Sequence, residues 1–257
     1  MDVKDVKAVV TGGASGLGEA CVRMLAGAGA RAAIFDMAAE RGKALAAELG
    51  GNIIFTETDV IREESVQSSI LKAAEVFGGL SVAINCAGIG GSHKVYSRKG
   101  PMPLALFNRS VQINLIGTFN VIRLAVEQMV KNSPNADGET GVIVNTASIA
   151  AYDGRAGQAA YAASKAGIIG MTLPIARECA EYGIRIVTIA PGLFATPMIA
   201  KLSPEIQDTI SGMVPFPRRA GHPREYAALA RHIIENPMLN GEVIRLDGAM
   251  RMSMSGK

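Results

Sequence analysis

Apolar positions along this 257-residue chain follow two different spacings. Seven short runs, rich in Val, Ile and Ala, fall at 8–11, 32–35, 53–56, 80–85, 142–146, 184–190 and 243–246. Between them lie longer stretches with helical periodicity. Leu17, Cys21, Met24 and Leu25 mark one face of such a helix, closed by Gly27 and Gly29. Longer helices are predicted over 108–130 and 158–182, the second stopped by Gly183. The short runs do not alternate polar with apolar residues, as strands do when helices cover both faces of their sheet. The pattern therefore predicts repeated β-α units building a parallel sheet in a single domain over 1–257. Two irregular segments interrupt it, a Gly-, Ser- and Lys-rich stretch at 88–103 and a proline-punctuated one at 191–223. Each follows a strand, so each falls where open α/β sheets bind ligands, outside the carboxyl ends of the strands.

Charge narrows the picture by exclusion. With 26 Lys+Arg against 23 Asp+Glu the net charge is +3, evenly spread, so no polyanion partner and no direct nucleic-acid binding are expected. Cys21, Cys86 and Cys179 are odd in number and form no CxxC, which suits a reducing compartment. His93, His222 and His232 are scattered, and no metal is expected. The opening Met1-Asp-Val-Lys-Asp is not a secretory signal, and the uncharged stretch 186–200 is 15 residues long and holds Pro191 and Gly192. A membrane span needs ~20 apolar residues. No membrane contact is expected; the location is taken as cytoplasmic, or the mitochondrial matrix in a eukaryote.

Thr11-Gly-Gly-Ala-Ser-Gly-Leu-Gly18 joins the first strand to the first helix. Gly12, Gly16 and Gly18 permit a tight turn and close approach of a pyrophosphate to the helix N-terminus, with Ser15 and Leu17 in the same loop. Asp36 ends the second strand, where an acid hydrogen-bonds the adenosine ribose and repels a 2′-phosphate. Neither Ser15 nor Met37 offers a compensating positive charge. NAD is expected over NADP.

Tyr161 and Lys165 stand four apart, neighbours on one helix face. Phenol ionises near pH 10, so acting as a base at pH 7 requires a shift of about 3 units, about 4 kcal/mol of preferential phenolate stabilisation. A buried lysine and an oxidised nicotinamide ring together suit that task. Ser148, ending the fifth long strand, is placed to polarise the same substrate oxygen. Asn114, inside the preceding helix, is placed to hold a proton-relaying water.

Taken together, Thr11-Gly-x3-Gly-x-Gly18, Asp59-Val60, Asn85-Cys-Ala-Gly88, Asn114, Ser148, Tyr161-x3-Lys165 and Pro191-Gly192 resemble the short-chain dehydrogenase/reductase family over residues 6–250. The resemblance implies an α/β, Rossmann-type doubly wound fold with a seven-stranded, mostly parallel sheet and helices on both faces. It implies Asn114, Ser148, Tyr161 and Lys165 as a catalytic tetrad. Asp59 and Val60 would flank the adenine, Asn85, Ala87 and Gly88 would line the cofactor cleft beside Pro191 and Gly192, and Thr196 would reach the nicotinamide amide. Cys86 and Ala249 depart from the usual Asn and Gly.

Within that family, segments such as Gly117-Thr-Phe-Asn-Val-Ile-Arg-Leu and Asn240-Gly-Glu-Val-Ile-Arg-Leu-Asp-Gly-Ala are similar to its type 2 3-hydroxyacyl-CoA dehydrogenase branch. This implies NAD-dependent interconversion of 3-hydroxyacyl-CoA and 3-oxoacyl-CoA by a homotetramer paired through the 108–130 and 158–182 helices. Lys94, Arg98 and Lys99 either meet the coenzyme A phosphates or are solvated loop charges. Leu193, Phe194, Met198, Ile199 and Leu202 either form a lid over the acyl chain or an ordinary packed helix. Gln158 either contacts substrate or starts its helix. The alternatives in function are a steroid or other secondary-alcohol dehydrogenase sharing every catalytic residue, and a scaffold subunit for RNA processing.

Overall fold

The structure, a computed structural model, describes residues 1–196 and 212–252. Its strands are β1 (Lys7–Thr11), β2 (Arg31–Asp36), β3 (Ile53–Glu57), β4 (Val82–Asn85), β5 (Tyr96–Ser97), β6 (Gly100–Pro101), β7 (Gly141–Thr146), β8 (Ile184–Pro191) and β9 (Val243–Leu246). Seven of them form one sheet in the order β3-β2-β1-β4-β7-β8-β9, and every pairing is parallel. The chain winds outward from β1 to β3, then returns to the other side of β1 to lay down β4. Between β1 and β4 lies the switch point where such sheets open a crevice for ligands. This is the doubly wound arrangement expected from the sequence. The small antiparallel hairpin β5-β6, inside the segment read as irregular, was not.

Successive strand side chains point to opposite faces, which divides the core in two. Ala8, Val10, Ala32, Ile34, Val142 and Val144 face helices α1 (Gly16–Gly27), α2 (Ala39–Leu49) and α8 (Pro223–Glu235). Val9, Ala33, Phe35, Ala83 and Ile143 face α3 (Glu63–Phe77), α5 (Gly117–Met129) and α7 (Ala159–Cys179). Because both faces are dry, the strands carry continuous apolar runs.

The helix predicted over 108–130 is broken in two. α4 (Leu104–Val111) passes through a π-helical turn, Gln112–Ile116, before α5 begins. That wider turn carries Asn114, and such bulges are frequent at functional sites. The 158–182 helix divides differently: α7 ends at Cys179, a 3-10 turn covers Ala180–Tyr182, and Gly183 closes it in the left-handed conformation at φ 72°. A short helix, α6 (Ala150–Asp153), precedes α7. Among the described residues, no helix is long and apolar enough to cross a membrane.

Candidate active site

One cleft of about 1420 Å³ runs along the carboxyl ends of the strands. Its floor is the glycine turn after β1. Gly12 and Gly16 adopt φ of +63° and +57°, and a Cβ on Gly18 would lie 2.3 Å from the Gly12 carbonyl oxygen. A Cβ on Gly12 would meet the Ala87 nitrogen at 2.9 Å. The backbone is thus packed too closely for any side chain. Ser15 precedes α1 without a side-chain capping bond, which leaves the first N–H groups of the helix facing the cleft, as an anion requires. The Thr11 hydroxyl accepts the N–H groups of Cys86 and Ala87, both at 3.1 Å, and so ties the loop after β4 to the end of β1.

Asp36 marks one end of the cleft. Its carboxylate accepts N–H from Ala14 and from Ala38, both at 3.0 Å, and is thereby fixed in direction. Met37 beside it is 66% exposed and brings no charge. Asp59 and Val60 line the neighbouring wall, and Asn120 donates to the Val60 carbonyl at 3.0 Å.

At the other end, Ser148, Tyr161 and Lys165 converge. Lys165 is 4% exposed, donates to the Thr146 carbonyl at 2.8 Å and stands 5.9 Å from the centre of the Tyr161 ring. Burial pulls its ammonium down to about 8, with Cys86 acting the other way. Burial also pushes the Tyr161 phenol above its usual value, opposed by hydrogen bonding with Ser148. Within the chain alone desolvation outweighs the Ser148 hydrogen bond, while the lowering expected from the sequence also calls on an oxidised nicotinamide ring.

Most expected residues do line this cleft: Gly12, Ser15, Gly16, Leu17, Gly18, Asp36, Asp59, Val60, Ala87, Gly88, Ser148, Gln158, Tyr161, Lys165, Pro191, Gly192, Leu193, Phe194 and Thr196. Two stand apart from it. Asn85 is turned inward, donating to Asn145 Oδ1 at 2.9 Å across the β4–β7 pair, and Cys86 takes the position on the wall. Asn114 is 0% exposed, and its carboxamide is already engaged by Ile89 and by Ser164 Oγ at 3.0 Å. It clamps the loop that follows Gly88.

Other substrate-side expectations also shift. Gln158 Oε1 accepts the Arg155 N–H at 2.9 Å, so its amide braces the turn before α7. Phe194 is 6% exposed, with its ring edge-on to Tyr226 at 6.4 Å. Met198, Ile199 and Leu202 lie outside the described residues. Lys94, Arg98 and Lys99 are exposed on and around the β5-β6 hairpin, away from the cleft lining. Sequence reasoning passed over Arg155, Met250 and Met252, all of which line the cleft. The available signal was Arg155 as the lone cation between Lys131 and Lys165.

The short chain dehydrogenase family model matches residues 6–207. A rat protein named 3-hydroxyacyl-CoA dehydrogenase type-2 is 53% identical over 252 residues, 97% of each chain. Ipsdienol dehydrogenase of Ips pini is 36% identical over 97% of this chain and 98% of its own. Among solved structures, 3-hydroxyacyl-CoA dehydrogenase type-2 from Mycobacterium avium superposes with a TM-score of 0.93 at 44% identity, covering 96% of both chains.

Proposed function

The chain belongs to the short chain dehydrogenase family and is an oxidoreductase, and from that premise we propose that it interconverts 3-hydroxyacyl-CoA and 3-oxoacyl-CoA using NAD. The observation that carries this reading is the single continuous cleft joining the Asp36 carboxylate to the Tyr161, Ser148 and Lys165 cluster. Glycines too tightly packed for a Cβ and uncapped N–H groups at α1 fit a dinucleotide pyrophosphate. The fixed carboxylate of Asp36 fits an adenosine ribose and opposes a 2′-phosphate. The thioester substrate rests on the likeness to the type-2 relatives.

In this reading Ser148 Oγ holds the substrate oxygen while Tyr161 Oη removes the hydroxyl proton. Lys165, fixed by the Thr146 carbonyl, places a positive charge beneath the phenol and would hold the nicotinamide ribose. Asn114 supports the proton path indirectly, by keeping the Gly88–Ile89 loop in place. When bound, NAD⁺ supplies the hydride acceptor and a second positive charge beside the phenol. Exposed Ile116, Phe119 and Leu173, on and beside the helices expected to pair, support a homotetramer.

The test is a spectrophotometric comparison of NAD⁺ and NADP⁺ against 3-hydroxyacyl-CoA esters, a steroid alcohol and a simple secondary alcohol. Preference for NAD⁺ with the CoA ester is expected; a steroid or plain alcohol as the better substrate overturns the substrate assignment. Tyr161→Phe should lower kcat by about 10²- to 10⁴-fold. Light scattering reports the subunit number.

A further inference from the structure

Behind the site, a chain of hydrogen bonds crosses the apolar layer between the sheet and α8. Tyr226, on α8, is 0% exposed, and its Oη stands 2.7 Å from Thr146 Oγ1. The single Thr146 hydroxyl proton goes to the Asn85 carbonyl at 2.6 Å, so Tyr226 is the donor to Thr146. Cys86 Sγ, 3.9 Å from Tyr226 Oη, is the weak end of the chain. Burial holds the Tyr226 phenol well above its ordinary pKa, so it keeps that proton across the working range of pH. Thr146 is engaged from both faces of the sheet. Its side chain shares the face of Val142 and Val144, toward α1 and α8. Its carbonyl accepts Lys165 Nζ at 2.8 Å from α7, which packs on the opposite face. Among the described residues that carbonyl is the one hydrogen-bond acceptor of the buried ammonium.

We propose that Tyr226 is a positioning residue for the reaction: from the reverse face of the sheet its hydroxyl holds Thr146, and Thr146 holds the Lys165 ammonium beside Tyr161. The inference rests on the proposed reading of Lys165 as the charge that favours the phenolate. A buried ammonium with one protein acceptor takes its place from that acceptor. The pairing of β7 with β4 ends one residue before Thr146, at Asn145, and Thr146 occupies the last rung with β8. At this strand end the Thr146 side chain adds its own bridge to Asn85, and the Tyr226 proton behind it reinforces that bridge, since linked hydrogen bonds polarise one another. The edge-on contact between the Phe194 and Tyr226 rings fixes the direction of the phenol. The titratable groups facing Lys165 are Tyr161 from its own helix and Cys86 from the loop after β4. With the ammonium displaced, the Coulomb support for a phenolate in this low-dielectric site weakens, and the acid limb of the rate profile reports that change.

The test measures kcat against pH for alcohol oxidation, at saturating NAD⁺ and with the preferred substrate of the spectrophotometric comparison, in wild type, Tyr226→Phe, Thr146→Val and Thr146→Ser. Loss of either hydroxyl should move the acid limb upward by about half a unit to one unit. Below the limb kcat then falls about 3- to 10-fold, while the upper plateau stays within about twofold of wild type. Thr146→Ser keeps a hydroxyl and should reverse most of the shift seen in Thr146→Val. A Tyr226→Phe profile that superimposes on wild type overturns the inference. So does a fall in kcat that is equal at every pH, which assigns Tyr226 to packing alone. If Tyr226→Phe does not fold, the Thr146 pair decides, and identical profiles for its Val and Ser variants overturn the inference. Lys165→Met separates the two readings. Activity retained in that variant overturns the role given to Lys165 and this inference with it; an inactive Lys165→Met beside an unmoved Tyr226→Phe profile overturns this inference alone.

Discussion

The Asn114 carboxamide grips both main-chain polar groups of Ile89, accepting its N–H at 2.8 Å and donating to its carbonyl at 3.0 Å. The grip depends on the π-helical turn that carries Asn114, and its object is the loop that follows Gly88 along the cleft. Asn114→Ala leaves these groups unpaired where water is scarce, at a cost of about 1–3 kcal/mol. We expect a loss of stability of that order in urea unfolding, with weaker NAD binding by calorimetry. Unchanged cofactor affinity in a destabilised variant would confine the clamp to a folding role.

Asp36 controls the choice of dinucleotide in the proposed function. Its two N–H donors, from Ala14 and Ala38, orient the carboxylate, and exposed Met37 leaves room for a cation. Replacing Asp36 with Ala and Met37 with Arg removes a like-charge clash worth several kcal/mol and adds a phosphate partner. The ratio of kcat/KM for NAD to that for NADP should fall by at least about 100-fold. Retention of the original ratio would show that another residue sets the preference.

Gly18→Ala tests the glycine turn. The added methyl would lie 2.3 Å from the Gly12 oxygen and 2.7 Å from its carbonyl carbon, both backbone atoms that cannot rotate away. Forced separation of the loop from α1 should cost about 1–3 kcal/mol of stability and lower NAD affinity. A melting temperature and a cofactor titration within error of wild type would contradict the packing described.

Lys165 gives a pH dependence of definite sign. Burial lowers it from 10.5 to about 8. Below pH 8 both folded and unfolded chains hold the proton, and the cost of the buried charge is constant. Between 8 and 10.5 only the unfolded lysine retains it, so this residue's contribution to stability rises with pH across that window. Lys165→Met should therefore be inactive yet more stable at pH 7 by about 2 kcal/mol, after loss of the hydrogen bond to Thr146. The difference should narrow toward pH 10 in denaturant unfolding measured on both proteins.

The sequence by itself determined the features whose physics is local. Apolar runs of strand length without alternation require a sheet covered on both faces, and the seven strands appear where those runs lie. The glycine turn, Asp36 at a strand end and Tyr161 four residues before Lys165 are spaced by a turn, a β-α unit and a helical repeat, so their positions followed from short-range geometry.

Only the tertiary structure decided what each side chain meets. Asn85 has the same sequence context whether it faces the cleft or Asn145; the β4–β7 register turns it inward. The helix through Asn114 reads as continuous because its periodicity barely registers one extra residue, while the π turn shifts the face on which the carboxamide emerges. For a similar reason Gln158, left open between substrate contact and helix start, is drawn into a turn bond with the Arg155 N–H. Burial pushes the Tyr161 phenol up against the pull of the Ser148 hydrogen bond. Desolvation depends on everything packed around a group, and residues distant in the chain supply most of that surrounding.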